Sequence, residues 1–220
     1  MNIEKFHVGL FLAVICLAIL VSSFFLPWWT IERDEKFPPP PQDPLINVTS
    51  THDFKLLGIS TFHRDVTLGI PHESRNETAY FEIADSELDV HFLVMDLMVM
   101  AGVVLIALFL VLQHLSRRKE ILRLISLILG FAVIFVVLGS AAYFHLYIPS
   151  EVGNSRDGLR DALDTILPNI QTFAGSDSNE TPSGVTEIVW GPSFGWYSAF
   201  AVCIIMLFSI ALVEFRPKED

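Results

Sequence analysis

Hydrophobic residues gather in four long blocks, approximately Val8–Trp29, Phe92–Leu115, Ile121–Ile148 and Ser193–Val213, separated by two long polar segments and one short one. A hydrocarbon layer about 30 Å thick needs roughly 20 helical residues at about 1.5 Å rise apiece, so each block is long enough to cross it. The pattern predicts crossings at 8–29, 92–115, 121–148 and 193–213. It leaves outer segments at 30–91 and 149–192, an inner hairpin at 116–120, and inner termini at 1–7 and 214–220. Lys5 followed by the first apolar run reads as an uncleaved crossing, because the run exceeds a signal core and ends in Pro27-Trp28-Trp29, whose indoles suit the membrane–water boundary.

The polar segments carry their own periodicities. In the first, Trp28–Glu32 reads as a strand, and Pro38–Pro41 marks an extended stretch that no helix or central strand accommodates. Phe54–Phe62, Asp65–Ile70 and Ala79–Ala84 are rich in β-branched and aromatic residues, with Pro71 and Glu73–Asn76 as turn-forming punctuation. Three to five short antiparallel strands are expected there, one face covered by helix ends or by the second segment. In the second, Leu159, Ala162, Leu163, Ile166 and Leu167 recur at helical spacing, predicting a helix from about Ser155 to Leu167. A Ser/Gly/Asn-rich loop through Gly175–Gly184 follows, and then a strand at Thr186–Trp190 able to pair with the first segment's sheet. The expected fold class is a mainly α membrane protein: a four-transmembrane-helix bundle with a small antiparallel β-sheet cap.

Composition agrees with a membrane chain. Of 220 residues, 52% are hydrophobic and 18% charged, and mean hydropathy is +0.51. Soluble α/β enzymes, nucleic-acid binders and disordered tails are excluded. The net charge of −11 lies almost wholly outside the apolar blocks: Ile31–Val90 has twelve carboxylates against five Lys or Arg, and Pro149–Trp190 has seven against two. Arg117, Arg118 and Lys119 make the short hairpin basic, which by the positive-inside tendency places it and both termini in the cytoplasm of a multi-pass cell-membrane protein. Asn47-Val48-Thr49, Asn76-Glu77-Thr78 and Asn179-Glu180-Thr181 match the glycan acceptor pattern, and all three fall in the outward segments.

Leu26-Pro27-Trp28-Trp29-Thr30 is similar to a Pro-x-Trp exit from a first helix, and Gly191-Pro192-Ser193-Phe194-Gly195-Trp196 to a small-residue and aromatic start of a fourth. With the four-crossing layout and the larger β-rich first loop, these residues give the chain a resemblance to the claudin and peripheral-myelin-protein superfamily. The resemblance implies barrier formation, ion-selective pores or modulation of channels and receptors. The family's first-loop Gly-Leu-Trp and cysteine pair have no counterpart between Ile31 and Val90, so no functional residue is carried over.

Candidate chemistry is sparse. Asp96 is the one carboxylate well inside a predicted crossing, roughly 7 Å below His91, and an intramembrane carboxylate needs a partner. His145, near the outer end of the third block, lies at comparable height. Asp96 is therefore expected to form a polar clasp with His145 or with the indole of Trp28 or Trp29, while a competing reading gives the pair a role in proton or cation handling. His52, His63 and His72 read as surface-loop residues, lacking the short spacing of a zinc site. Asp85, Glu87 and Asp89 alternate and read as a solvated acidic stem. Cys16 and Cys203, the only cysteines, both lie in crossings and read as apolar filler, so no disulfide holds the cap. No nucleophile elbow, phosphate-cradling loop or Cys/His arrangement occurs, and no cofactor or metal ligand set is expected.

The resulting expectation is a non-enzymatic protein acting in adhesion, lateral assembly or as an accessory subunit. Its partners would be the lipid bilayer, a protein in the membrane or a second copy of itself, and no nucleic acid. The competing class is a small proton or cation transporter, channel or sensor using Asp96 and His145.

Overall fold

The structure, a computed structural model, describes residues 2–37, 46–67, 70–83, 86–115, 120–163, 170, 172–181 and 184–214. Four of its helices are long and apolar enough to cross a membrane: α1 (Asn2–Ser22), α2 (Leu88–Leu115), α3 (Glu120–Asn154) and α5 (Phe194–Glu214). The fifth, α4 (Arg156–Leu163), is short. A six-stranded antiparallel sheet completes the chain, formed by β1 (Trp29–Phe37), β2 (Ile46–Lys55), β3 (Gly58–Thr67), β4 (Ile70–Thr78), β5 (Gly175–Thr181) and β6 (Gly184–Pro192). The fold is thus mixed rather than mainly helical. Four apolar helices of this length are the pattern of a multi-pass membrane protein.

The chain divides into two compact units. One contains Met1–Phe24, Val94–Tyr143 and Trp196–Asp220. Lipid gives helices no hydrophobic drive to associate, so close packing at small residues has to supply it. A Cβ added to Gly102 would lie 2.9 Å from Leu20 and 3.1 Å from Val137, and one added to Gly130 would lie 2.9 Å from Ile210. α1, α2, α3 and α5 therefore approach one another at these small residues. Ser209 Oγ donates to the Gly9 carbonyl at 2.7 Å, tying α5 to α1. Cys16 and Cys203 are buried and unbridged, their thiols directed at the carbonyls of Val202 and Ile134. Phe11, Leu97, Phe135 and Phe208 remain exposed, an apolar exterior that a water-facing bundle would not carry.

The other unit, Phe25–Leu93 with Phe144–Gly195, holds the sheet. Its strand order is β4-β3-β2-β1-β6-β5, with every neighbouring pair antiparallel. The first polar segment supplies four strands and the second two, joined where β1 pairs with β6 from Trp29 opposite Pro192 to Lys36 opposite Val185. Side chains two apart share a face. Trp29, Ile31, Phe54, Ile59 and Trp190 consequently line one end of one face, where all are buried. The opposite face is charged, with Lys36 bridging to Glu187 at 3.7 Å and Arg64 to Glu73 at 3.6 Å.

Several elements depart from the sequence expectation. α1 stops at Ser22, and Trp28 and Trp29 lie beyond it, Trp29 opening β1. Phe54–Phe62 is two strands and a turn. Gly58 has φ of +151°, and a Cβ there would lie 2.9 Å from the Thr78 carbonyl, so the turn between β2 and β3 takes a glycine at this position. Pro71 and Glu73–Asn76 belong to β4, an edge strand whose residues are exposed from Ile70 to Glu77. An edge tolerates proline and charge that a central strand would reject. Gly175–Thr181 is strand β5, the other edge. Tyr80–Glu82 is a 3-10 turn, with Tyr80 stacked on Phe92 at 3.9 Å. Asp89 lies in the first turn of α2, and Glu87 precedes it, its N–H donating to Glu151 at 2.9 Å. The predicted helix at 155–167 begins at Arg156, with Ser155 accepting the Leu159 N–H. Pro38–Pro41, Asp85 and the basic hairpin residues Arg117–Lys119 lie outside the described residues.

Candidate functional site

The two motifs that carry the family resemblance meet. Gly195 N–H donates to the Pro27 carbonyl at 2.7 Å, and Ser193 N–H to the Trp28 carbonyl at 3.0 Å. Gly195 packs so closely on the Trp28 ring that no Cβ fits between them. Trp28 in turn leans on Phe144, with ring centroids 5.7 Å apart. The neighbouring indole, Trp29, donates to the Phe173 carbonyl at 2.8 Å, and Trp190 donates to the Thr172 carbonyl at 3.0 Å. Two buried indoles thus tie the 172–173 stretch to the sheet, each indole N–H finding there the acceptor that its burial requires.

Of the residues expected in an intramembrane clasp, Trp28, Trp29 and His145 collect around Phe144 and Phe173. His145 sets its ring edge-on to Phe173 at 4.4 Å, and Trp29 has its N–H on the Phe173 backbone. Asp96 belongs to the helical unit. Its Oδ1 is buried without a hydrogen-bond partner among the described residues. The acceptor asparagines lie on strands: Asn47 on β2, Asn76 on β4 and Asn179 on β5. Asn76 and Asn179 are exposed, whereas Asn47 is half-buried.

The chemistry that sequence reasoning missed lies farther along the sheet, on the same face as the tryptophans. There the apolar residues give way to a basin of about 810 Å³, walled by α4 and floored by β1 to β4. His52 is part of its lining. Reading it as a surface-loop histidine is corrected here: it is on β2, only 1% exposed. Its Nδ1 is 3.1 Å from Thr61 Oγ1 across the strand pair. Its Nε2 has no partner among the described residues. The adjacent pair repeats the arrangement, with Ser50 Oγ 2.9 Å from His63 Nδ1. Burial first, then the positive charge of Arg33 and the His63 ring, pushes His52 down to about 4, so the imidazole is neutral at physiological pH.

Among the described residues the charges that line the basin pair off. Arg33 pairs with Glu35 on β1, and Arg160 on α4 lies 3.6 Å from Asp157 and 3.4 Å from Asp161. Ser74 and Asn76 on β4 lie at the rim, and among the described residues Val48 and Leu163 are the large apolar contributors. The result is a concave, neutral surface rich in both donors and acceptors. His52, His63 and His72 do not converge: among the described residues no three His, Cys, Asp or Glu side chains are placed to hold a metal ion. One signal for the basin was present in the sequence. Ser50, His52 and Phe54 alternate with Thr51, Asp53 and Lys55, which puts His52 on the face of the buried Phe54.

No family model matches the sequence, and no curated protein matches it.

Proposed function

We propose that the chain is a non-enzymatic, multi-pass protein of the cell membrane whose sheet unit faces outward, acting in adhesion, lateral assembly or as an accessory subunit of a membrane complex. The pairing of β1 with β6 carries this reading. The first four strands precede α2 and the last two follow α3, so one continuous sheet requires both polar segments to lie on the same side of the bilayer. An even number of crossings between them satisfies that, and α2 with α3 supplies two. The basic residues Arg117, Arg118 and Lys119 then put the intervening hairpin, and with it both termini, in the cytoplasm.

The sheet supplies contact surface in two forms, a charged face and two edge strands. β4 and β5 end the strand order, so each has one side without a neighbouring strand among the described residues. Such edges are where proteins add a partner's strand. The layout, together with the meeting of Pro27-Trp28 and Gly195, supports a distant place beside the claudin and peripheral-myelin-protein superfamily. Photocrosslinking residues at Glu73 on β4 and at Phe135 on α3, introduced one at a time in native membranes, test the reading. A discrete adduct of fixed size at Glu73, formed with another protein or a second copy, is the expected result. Adducts at neither position would contradict it.

The unpartnered Oδ1 of Asp96 favours one further reading, a small proton or cation transporter using Asp96 and His145. Flux through reconstituted vesicles that is abolished by Asp96→Asn and His145→Ala would support transport. A parent protein that carries no flux would remove it.

A further inference from the structure

The basin on the sheet has no part in that assembly reading, yet its chemistry selects a ligand. A buried imidazole with one nitrogen unpaired is unfavourable unless something completes its hydrogen bonding, and Nε2 of His52, a residue of the basin lining, has no partner among the described residues. The volume, about 810 Å³, falls within the range of small-molecule sites, roughly 300–1,000 Å³.

The kind of occupant follows from the balance of charge. An anion entering the basin would meet Glu35 and Asp161, and a cation would meet Arg33 and Arg160. Each arginine already has a carboxylate neighbour, so neither sign of charge is favoured. Among the described lining residues an apolar occupant finds Val48 and Leu163 to cover it. A group that donates and accepts at once suits such a lining, and the hydroxyl is that group. Ser74 and Asn76 on the exposed rim of β4, with His52 and His63 on the floor, offer a succession of hydroxyl-compatible partners along three adjacent strands. We propose that the basin is a binding site for a neutral saccharide, seated on His52 and His63 and held at the rim by Ser74 and Asn76.

Two sources supply that chemistry. One is a sugar from outside, free or carried on a lipid or another glycoprotein. The other is this chain's own glycan, because Asn76 is both a rim residue and an acceptor asparagine.

The test uses the full chain in nanodiscs with isotope-labelled histidine, made in a host that adds no glycans. Glucose, galactose, mannose and the disaccharide of N-acetylglucosamine are titrated, with sulfate and choline as charged probes. The expected result is that at least one neutral sugar shifts the His52 Nε2 resonance saturably, while sulfate and choline leave it in place. Ser74→Ala combined with Asn76→Ala, both on an exposed strand edge, should weaken that sugar tenfold or more without altering the melting temperature. His52→Gln provides a second, floor-level variant. Protein from a glycosylating host separates the sources. If the Asn76 glycan is the occupant, the His52 resonance is already shifted, and enzymatic deglycosylation or Asn76→Gln returns it. If the sugar comes from outside, both preparations bind it alike. A His52 resonance unmoved by every neutral sugar and identical in the two preparations would overturn the proposal. So would a larger response to sulfate or choline.

Discussion

His52 shows how strand register converts an ordinary residue into a liability and an opportunity. Placed one position along β2, its ring would face solvent; at 52 it shares a face with Phe54 and loses its water. The consequence is a pH dependence of known sign. An imidazole that takes its proton near 6.5 in the unfolded chain and near 4 in the folded cap contributes stability that is fully present above pH 6.5. That stability falls away as the pH drops towards 4. The two values imply a loss of about 3 kcal/mol across that window, on the order of 1.4 kcal/mol per unit. Chemical denaturation of the cap, followed through its tryptophans at pH 7.5 and 4.5, should show this loss in the parent protein and a much smaller one in His52→Gln. Gly195 is the second residue whose neighbourhood dictates its identity. Gly195→Ala puts a Cβ into the Trp28 ring, and overpacking of this kind costs about 1–3 kcal/mol. A melting temperature equal to the parent's would contradict the tight contact described between Gly195 and Trp28.

The strands on the edges behave differently from those in the middle. β4 carries Glu73, Arg75 and Glu77 on one face and Pro71 near its start, devices that discourage unwanted strand pairing. Glu73→Val, Arg75→Val and Glu77→Val together should convert a monodisperse preparation into one that associates with concentration, as light scattering would register. Unchanged scattering would mean that these charges do not guard the edge. The same contrast explains what the sequence disclosed. Long apolar runs announced all four membrane-length helices, because lipid demands length and composition and little else. β1 and β6 were legible through their alternating buried residues. β4 and β5 were not, since a strand exposed on both faces has no hydrophobic period, and their Pro, Ser, Asn and Glu residues carry the composition of turns. The basin was hidden for a related reason. Arg33, His52, Ser74 and Arg160 come from four elements, and only the register of β1 to β4 and the placement of α4 bring them together.

At the scale of the molecule, two polar segments separated by the 57 mostly apolar residues 92–148 build a single sheet. In a bilayer that arrangement calls for both segments on one side, since strands on opposite sides cannot pair. The sheet unit is held without a disulfide: β1 and β6 pair along eight positions, and the indoles of Trp29 and Trp190 hold the 172–173 stretch in place. Both native thiols are buried, so introduced cysteines can be read against little background. The most direct test labels single-cysteine variants with a membrane-impermeant maleimide on intact cells, using Glu73→Cys on β4, Ser178→Cys on β5 and a cysteine appended after Asp220. Equal labelling of the first two, with the third reached only after lysis, is the predicted result. Labelling of Glu73→Cys without Ser178→Cys, or of the appended cysteine on unbroken cells, would contradict an outward sheet built from both segments.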